Sequence, residues 1–241
     1  MNNFLYLNKI ESFSTCDWFG QVVSVVALEG CPMRCPNCFA KNLQEVKSED
    51  QVSVKYILNQ IAHDAPLIDG VVFGGAEPLS SPLRSLGELM DGIHALQLKV
   101  GVETSGYYPT MLRDLIDNGQ IDKVFLDIKG ALTYEGQQEA TGVFALAEVS
   151  RSLLHCFETG VEFDIRTTVF PKFPILEDLI SIGNILQGYR RVFPGNKFNE
   201  WKIQQGLPSI YSEEFKPVSA RKIDKIASKL RNVCEFEEIK S

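Results

Sequence analysis

Six short, nearly unbroken apolar runs alternate along this chain with six segments whose apolar residues recur at three- and four-residue spacing. The runs are QVVSVVALE (21–29), DGVVFGG (69–75), LKVGVET (98–104), DKVFLDIK (122–129), VEFDIRTTVF (161–170) and EWKIQQ (200–205). A strand apolar on both faces needs cover on both, which predicts a parallel sheet with helices packed over it. The segments between, at 53–64, 81–96, 109–119, 145–160, 175–189 and 219–232, read as those helices, and several end in Gly or Asn. Six such units predict an α/β fold, a partial (β/α)6 TIM-like barrel of parallel strands. An open doubly wound sheet is the competing reading. A seventh short strand is expected at 234–239, and the whole of 1–241 is read as one domain.

Polar residues gather at the ends of these runs. Cysteines follow the first, Glu77 the second, Glu103 and Thr104 close the third, Asp127 and Lys129 the fourth, Arg166 lies in the fifth, and Gln204 and Gln205 end the sixth. Parallel strands deliver their C-terminal ends to one rim, where barrel enzymes build their sites. Distant positions are therefore expected in one pocket.

Charge narrows the partners. A net charge of -7 argues against a nucleic-acid groove, which relies on clustered Lys and Arg. The N-terminal MNNFLYLNKIESF lacks the basic flank and long apolar run of a signal peptide or membrane span, so a cytoplasmic protein is expected. In that compartment six cysteines read as ligands, redox groups or buried thiols rather than disulfides. Cys16, Cys156 and Cys234 are scattered and read as small hydrophobes, with Cys16 the least secure.

Cys31, Cys35 and Cys38 form a C-x3-C-x2-C loop directly after the first strand. Close-set thiolates suit zinc or an iron–sulfur cluster. Zinc would want a fourth ligand, such as Cys16 or a histidine. A 4Fe-4S cube takes one cysteine per iron, so three leave one iron free to accept a substrate or cofactor.

That loop, in that place, resembles the signature of the radical S-adenosylmethionine (SAM) superfamily. Gly75-Ala76-Glu77-Pro78 resembles the superfamily's Gly-Gly-Glu-Pro stretch, which contacts the SAM amino group. The segments STCDWFG, VETSGY, VFLDIKG, ATG and FDIRTTVFP are similar to the activating enzymes of glycyl-radical enzymes, those of anaerobic ribonucleoside-triphosphate reductase in particular.

The resemblance implies that Cys31, Cys35 and Cys38 hold a 4Fe-4S cluster whose remaining iron chelates SAM. Asp127 and Lys129 match an Asp-x-Lys near the SAM ribose and carboxylate; alternation puts both on one face of their strand, unless they form a surface ion pair at the strand end. Arg166 takes the place of a fifth-strand arginine reaching the same groups, unless it pairs with Asp164. Asn37 and Phe39 stand where the family places an aromatic residue and a histidine, so adenine packing is expected to pass to Phe39. Gly75, Ala76, Glu77, Thr104 and Gln204 complete the expected cofactor-binding set. Glu103 and Thr104 align with a pair that, with the strand-four aspartate, binds a monovalent cation in some activating enzymes. Trp18 and Phe19 are expected to pack over the cysteine loop. His63, His94 and His155 fall in helices, away from the rim.

The expected activity is reductive cleavage of SAM and generation of a glycyl radical on a partner, anaerobic ribonucleotide reductase, with flavodoxin or ferredoxin as electron donor. No catalytic side chain is expected beyond the cluster and SAM, and neither nucleic acid nor membrane is expected as partner. The alternatives are a radical SAM enzyme acting on a small metabolite or peptide, and a zinc-binding interaction domain.

Overall fold

The computed structural model describes residues 3–206, 217–234 and 238–241. The described residues hold nine strands and seven α-helices in a mixed α/β fold with a mostly parallel sheet. Two compact units are distinguished, each with its own core.

The first unit comprises Met1–Pro32, Ala40–Thr104 and Thr110–Val124. Its strands run in the order β3 (Gln51–Ser53), β1 (Phe4–Ser14), β2 (Val23–Leu28), β4 (Gly70–Gly75), β5 (Lys99–Thr104). β2, β4 and β5 pair in parallel, as the unbroken apolar runs require. β1 pairs antiparallel with β2 and with β3. Along β1 only Leu5 is buried and the rest faces solvent wholly or in part, so polar residues interrupt its apolar pattern after Leu7.

Helix α1 (Val54–Asp64) starts where the Ser53 hydroxyl accepts the Tyr56 N–H at 3.2 Å. It turns Ile57 and Ile61 inward, while α2 (Leu83–Ala95) turns in Leu86, Leu89, Met90 and Ile93, all fully buried. Each such side chain contributes about 1.5–3 kcal/mol. The helices meet at Gly92, where an added Cβ would lie 2.6 Å from a Leu58 methyl carbon. α3 (Pro109–Asp117) follows β5, and its Leu112 and Leu115 are fully buried.

The second unit comprises Met33–Phe39, Ser105–Pro109 and Phe125–Ser241. It takes in β6 (Lys123–Asp127) from Phe125 onward, then in strand order β7 (Glu162–Val169), β8 (Lys197–Gln205) and β9 (Ile239–Lys240). β7, β8 and β9 pair in parallel. Helices α4 (Tyr134–Thr141), α5 (Leu146–Thr159), α6 (Leu176–Val192) and α7 (Ala220–Cys234) are interleaved. The core is aromatic: Phe157 meets Phe163 edge-on at 4.9 Å and stacks with Tyr189 at 5.2 Å. Trp201 is fully buried, and its indole N–H donates to the Thr167 hydroxyl at 3.0 Å, so no polar atom of the ring is stranded.

Two expectations are revised here. The terminal strand lies at 239–240, and Cys234 closes α7 with its side chain buried; residues 235–237 of the expected strand lie outside the described residues. α4 goes unannounced in the sequence, because YEGQQEAT has almost no apolar periodicity. It is held instead by its ends. Thr133 accepts the Gly136 N–H at 3.0 Å, and Gly142 caps the helix in the left-handed conformation.

Candidate active site

Each unit carries part of the residue set singled out from the sequence. In the first, β2, β4 and β5 are parallel, so their C-terminal ends share one edge of that sheet. Cys31 follows β2, the Gly75–Glu77 turn follows β4, and Thr104 ends β5.

The backbone at this edge is closely knit. Gly75 has φ +95, and a Cβ there would come within 2.9–3.0 Å of backbone atoms of Ala27 and Leu28, so only glycine fits. Ala76 N–H donates to Leu28 O at 3.0 Å and Glu77 N–H to Gly30 O at 2.9 Å, tying the β4 exit to the chain just before Cys31. Gly30 is equally confined, with φ +97 and a Cβ position 2.8 Å from the Ser80 hydroxyl. That hydroxyl also donates to Gly30 O at 3.0 Å.

Glu77 is 1% exposed. Its Oε1 accepts Thr104 Oγ1 at 2.8 Å and the Leu79 N–H at 3.3 Å, capping the turn over Pro78–Ser80. These donors satisfy the buried side chain and fix its direction. Glu103 is half-buried, and its Oε2 lies 2.7 Å from the position a Gly74 Cβ would take.

In the second unit Cys35 is buried and Cys38 half-buried, with Cys38 N–H donating to Cys35 O at 3.2 Å. Burial pushes the Cys35 thiol up; the Lys129 ammonium works against that rise, while Cys38 and Asp127 add to it. Lys129 Nζ donates to Asp127 Oδ2 at 2.6 Å. Burial alone would pull Lys129 down, but the Asp127 carboxylate, with Cys35, outweighs it and leaves the pKa above the usual lysine value. Asp127 ends β6 and Lys129 lies two residues beyond it, so the two meet as an ion pair at the strand end. Asp127 Oδ1 is buried and has no hydrogen-bond partner.

Arg166 is half-buried, with its guanidinium 4.2 Å from the centre of the Phe125 ring. Phe39 is 69% exposed and Asn37 half-buried beside it in sequence. Gln204 is half-buried on β8, in register with Thr168 of β7.

The platform under the middle of the cysteine loop was not foreseen. Arg34 N–H donates to Thr141 O at 2.7 Å, and a Cβ on Gly142 would lie 2.9 Å from Arg34 O. The last turn of α4 thus holds the residue before Cys35. Nothing local in Ala140-Thr141-Gly142 announces the contact with position 34, which is 107 to 108 residues away for Thr141 and Gly142.

Two further expectations are corrected or met. Trp18 is 5% exposed, whereas Phe19 is 94% exposed and does not pack as expected. His63, His94 and His155 lie in α1, α2 and α5, as expected.

The donor set suits a cluster with a bound nucleotide cofactor. All three loop cysteines are free thiols, a lysine sits beside the buried one, and Asp127 offers a buried acceptor oxygen without a donor. Among the described residues no three His, Cys, Asp or Glu side chains converge on one ion position. A cube that takes one thiolate per iron does not ask for that convergence.

The radical SAM family model matches residues 25–181, and the chain belongs to the radical SAM superfamily. It is a radical SAM enzyme, and membership implies a 4Fe-4S cluster and SAM as cofactors. The chain is 26% identical to the "Putative glycyl-radical enzyme activating enzyme" of Methanocaldococcus jannaschii over 240 residues, 92% of each chain. It is 34% identical over 89 residues to the 7-carboxy-7-deazaguanine synthase of Hyperthermus butylicus, 37% of each chain. Among solved structures, QueE from Escherichia coli has a TM-score of 0.61 at 15% identity, with 99% of this chain and 94% of that chain covered. That likeness concerns the fold. No helix among the described residues is long and apolar enough to cross a membrane.

Proposed function

We propose that this radical SAM enzyme generates a glycyl radical on a partner enzyme, most specifically anaerobic ribonucleoside-triphosphate reductase. The observation that carries the reading is the end-to-end likeness to the Methanocaldococcus jannaschii protein, 92% of both chains, against the 37% covered in the deazaguanine synthase of Hyperthermus butylicus.

In this reading Cys31, Cys35 and Cys38 hold the cluster within a single radical SAM domain spanning 1–241. When bound, the reduced cluster and SAM supply a 5′-deoxyadenosyl radical that removes a hydrogen atom from a substrate carbon. The protein's own residues bind and orient. Lys129 and Arg166 neutralise the SAM carboxylate, and the unpartnered Asp127 Oδ1 accepts from a ribose hydroxyl. Glu77 and the Gly75–Ala76 backbone receive the SAM ammonium, Phe39 and Asn37 lie against the adenine, and Gln204 contributes a neutral amide. A monovalent cation at Glu103 and Thr104 belongs to the same proposal, as do a cytoplasmic location and flavodoxin or ferredoxin as electron donor.

The test is anaerobic reconstitution with iron and sulfide, reduction with SAM, and measurement of 5′-deoxyadenosine. A second stage adds the reductase and looks for the doublet of a glycyl radical by electron paramagnetic resonance. The doublet supports the assignment; 5′-deoxyadenosine without it in any glycyl-radical partner refers the enzyme to a small substrate. That second reading rests on the deazaguanine synthase match and is tested by looking for 7-carboxy-7-deazaguanine among the products formed from a pool of small metabolites.

A further inference from the structure

Glu29 is the last residue before the Gly30-Cys31 step, and its side chain is fully buried. A buried carboxylate needs a reason, because unpaired it costs several kcal/mol. Its Oε2 accepts the Lys47 backbone N–H at 3.0 Å. Its Oε1 has no hydrogen bond and lies 3.6 Å from the Lys47 ammonium, which also reaches Asp50 at 3.7 Å.

The two residues stand at the two feet of the cysteine loop. Between them Gly30 N–H donates to Leu43 O at 2.8 Å and Cys31 N–H to Gln44 O at 3.0 Å, while Glu29 N–H donates to Tyr6 O of β1 at 2.9 Å. The outgoing limb, 43–47, belongs to no strand and is tied to the incoming one by these hydrogen bonds and by the Lys47 amide to Glu29. One of them, Lys47 N–H to Glu29, is made by a side chain anchored at the end of a buried strand.

We propose that Glu29 is a positioning residue for the cluster: its buried carboxylate clamps the outgoing limb through the Lys47 amide and so holds the loop closed on Cys31. The inference rests on the reading that Cys31, Cys35 and Cys38 ligate a 4Fe-4S cluster. Closing a loop is an entropic cost, and a clamp that holds the limbs together before the metal arrives lowers it.

The test compares full-length wild type with E29A, E29Q and E29D after anaerobic reconstitution. The readouts are the rate at which a chelator bleaches the cluster absorbance near 400 nm and hydrogen exchange at the Lys47 amide. E29A strands the amide and is expected to lose iron about ten-fold faster. E29Q keeps an acceptor for that amide and is expected within about two-fold of wild type, which a simple requirement for charge would not predict. If E29A does not fold, E29D decides, since a carboxylate one methylene short cannot reach the amide. Faster bleaching with a deprotected Lys47 amide supports the clamp. Wild-type bleaching in E29A or E29D, or E29Q as labile as E29A, overturns it. A wild type that takes up no cluster overturns the site reading and the clamp together, an outcome distinct from a normal wild type with unaltered variants.

Discussion

Thr104 donates its hydroxyl to Glu77 Oε1 at 2.8 Å, and both side chains are buried, at 3% and 1% exposure. The bond joins the end of β5 to the turn after β4, so the direction of the Glu77 carboxylate is set by a residue 27 positions away. T104V keeps the shape and removes the donor. It is expected to cost about 1.5–3 kcal/mol, the range for hydrogen bonds to charged groups, with T104S recovering most of it. Denaturant unfolding of the three proteins measures this, and an unchanged midpoint for T104V would contradict it.

The Asp127–Lys129 pair is a second target. Each side chain keeps 29% of its surface accessible, so solvent screens the pair well below the value of a fully buried one. K129M removes the donor to Asp127 Oδ2 and, for a pair this accessible, is expected to destabilise by about 1 kcal/mol or less. SAM binding by equilibrium dialysis is expected to weaken more in K129M than in T104V, because an ammonium and not only a fold contact is lost.

Alkaline pH tests the thiols. Burial pushes the Cys156 thiol up to about 12, from an ordinary 9.0, so it stays neutral in the fold when the unfolded chain has ionised it. A raised folded pKa stabilises below the unfolded value, and that contribution is lost as pH climbs through the folded one. Stability from Cys156 is therefore full below about pH 9 and declines between there and about pH 12. Lys129, raised in the same direction, adds to the alkaline loss. Alkylation at pH 8 should modify the exposed Cys16 and spare Cys156 until denaturant is added, as peptide mass mapping would reveal.

Two glycine substitutions separate backbone strain from contact. Gly142 and Gly160 both cap helices, with φ +73 and +70. A Cβ on Gly160 meets nothing within 4 Å, whereas one on Gly142 lies 2.9 Å from Arg34 O. G160A is expected to cost about 1–2 kcal/mol for left-handed alanine. G142A should cost more and should also speed cluster loss, since Arg34 must move. Equal stability and equal iron retention in the two variants would show that the α4 platform does not bear on the loop.

The alternation of apolar runs and helical repeats was enough to recover β2, β4 to β8 and six of the seven helices to within a few residues. It works because strands buried on both faces cannot hide their composition. β1 and α4 escaped for the opposite reason: one is mostly solvent-facing, the other is polar and stabilised by caps at Thr133 and Gly142. Within the site, Cys31, Cys35 and Cys38 were legible because their spacing is itself the chemistry. Lys129 lies beyond the last residue of β6, so its ion pair with Asp127 is a feature of the strand exit and not of strand alternation.

Residue order by itself determined the fold class, through alternating apolar runs and helical repeats, and the cysteine loop, through its spacing, and its motifs carried the resemblance to the family to which the chain belongs. Only the tertiary structure decided that Thr104 directs Glu77, that Thr141 and Gly142 carry Arg34, and that Glu29 reaches Lys47. These are hydrogen bonds and steric contacts between residues 18 to 108 positions apart. Such contacts depend on where whole strands and helices come to rest, and no local propensity of either partner encodes them.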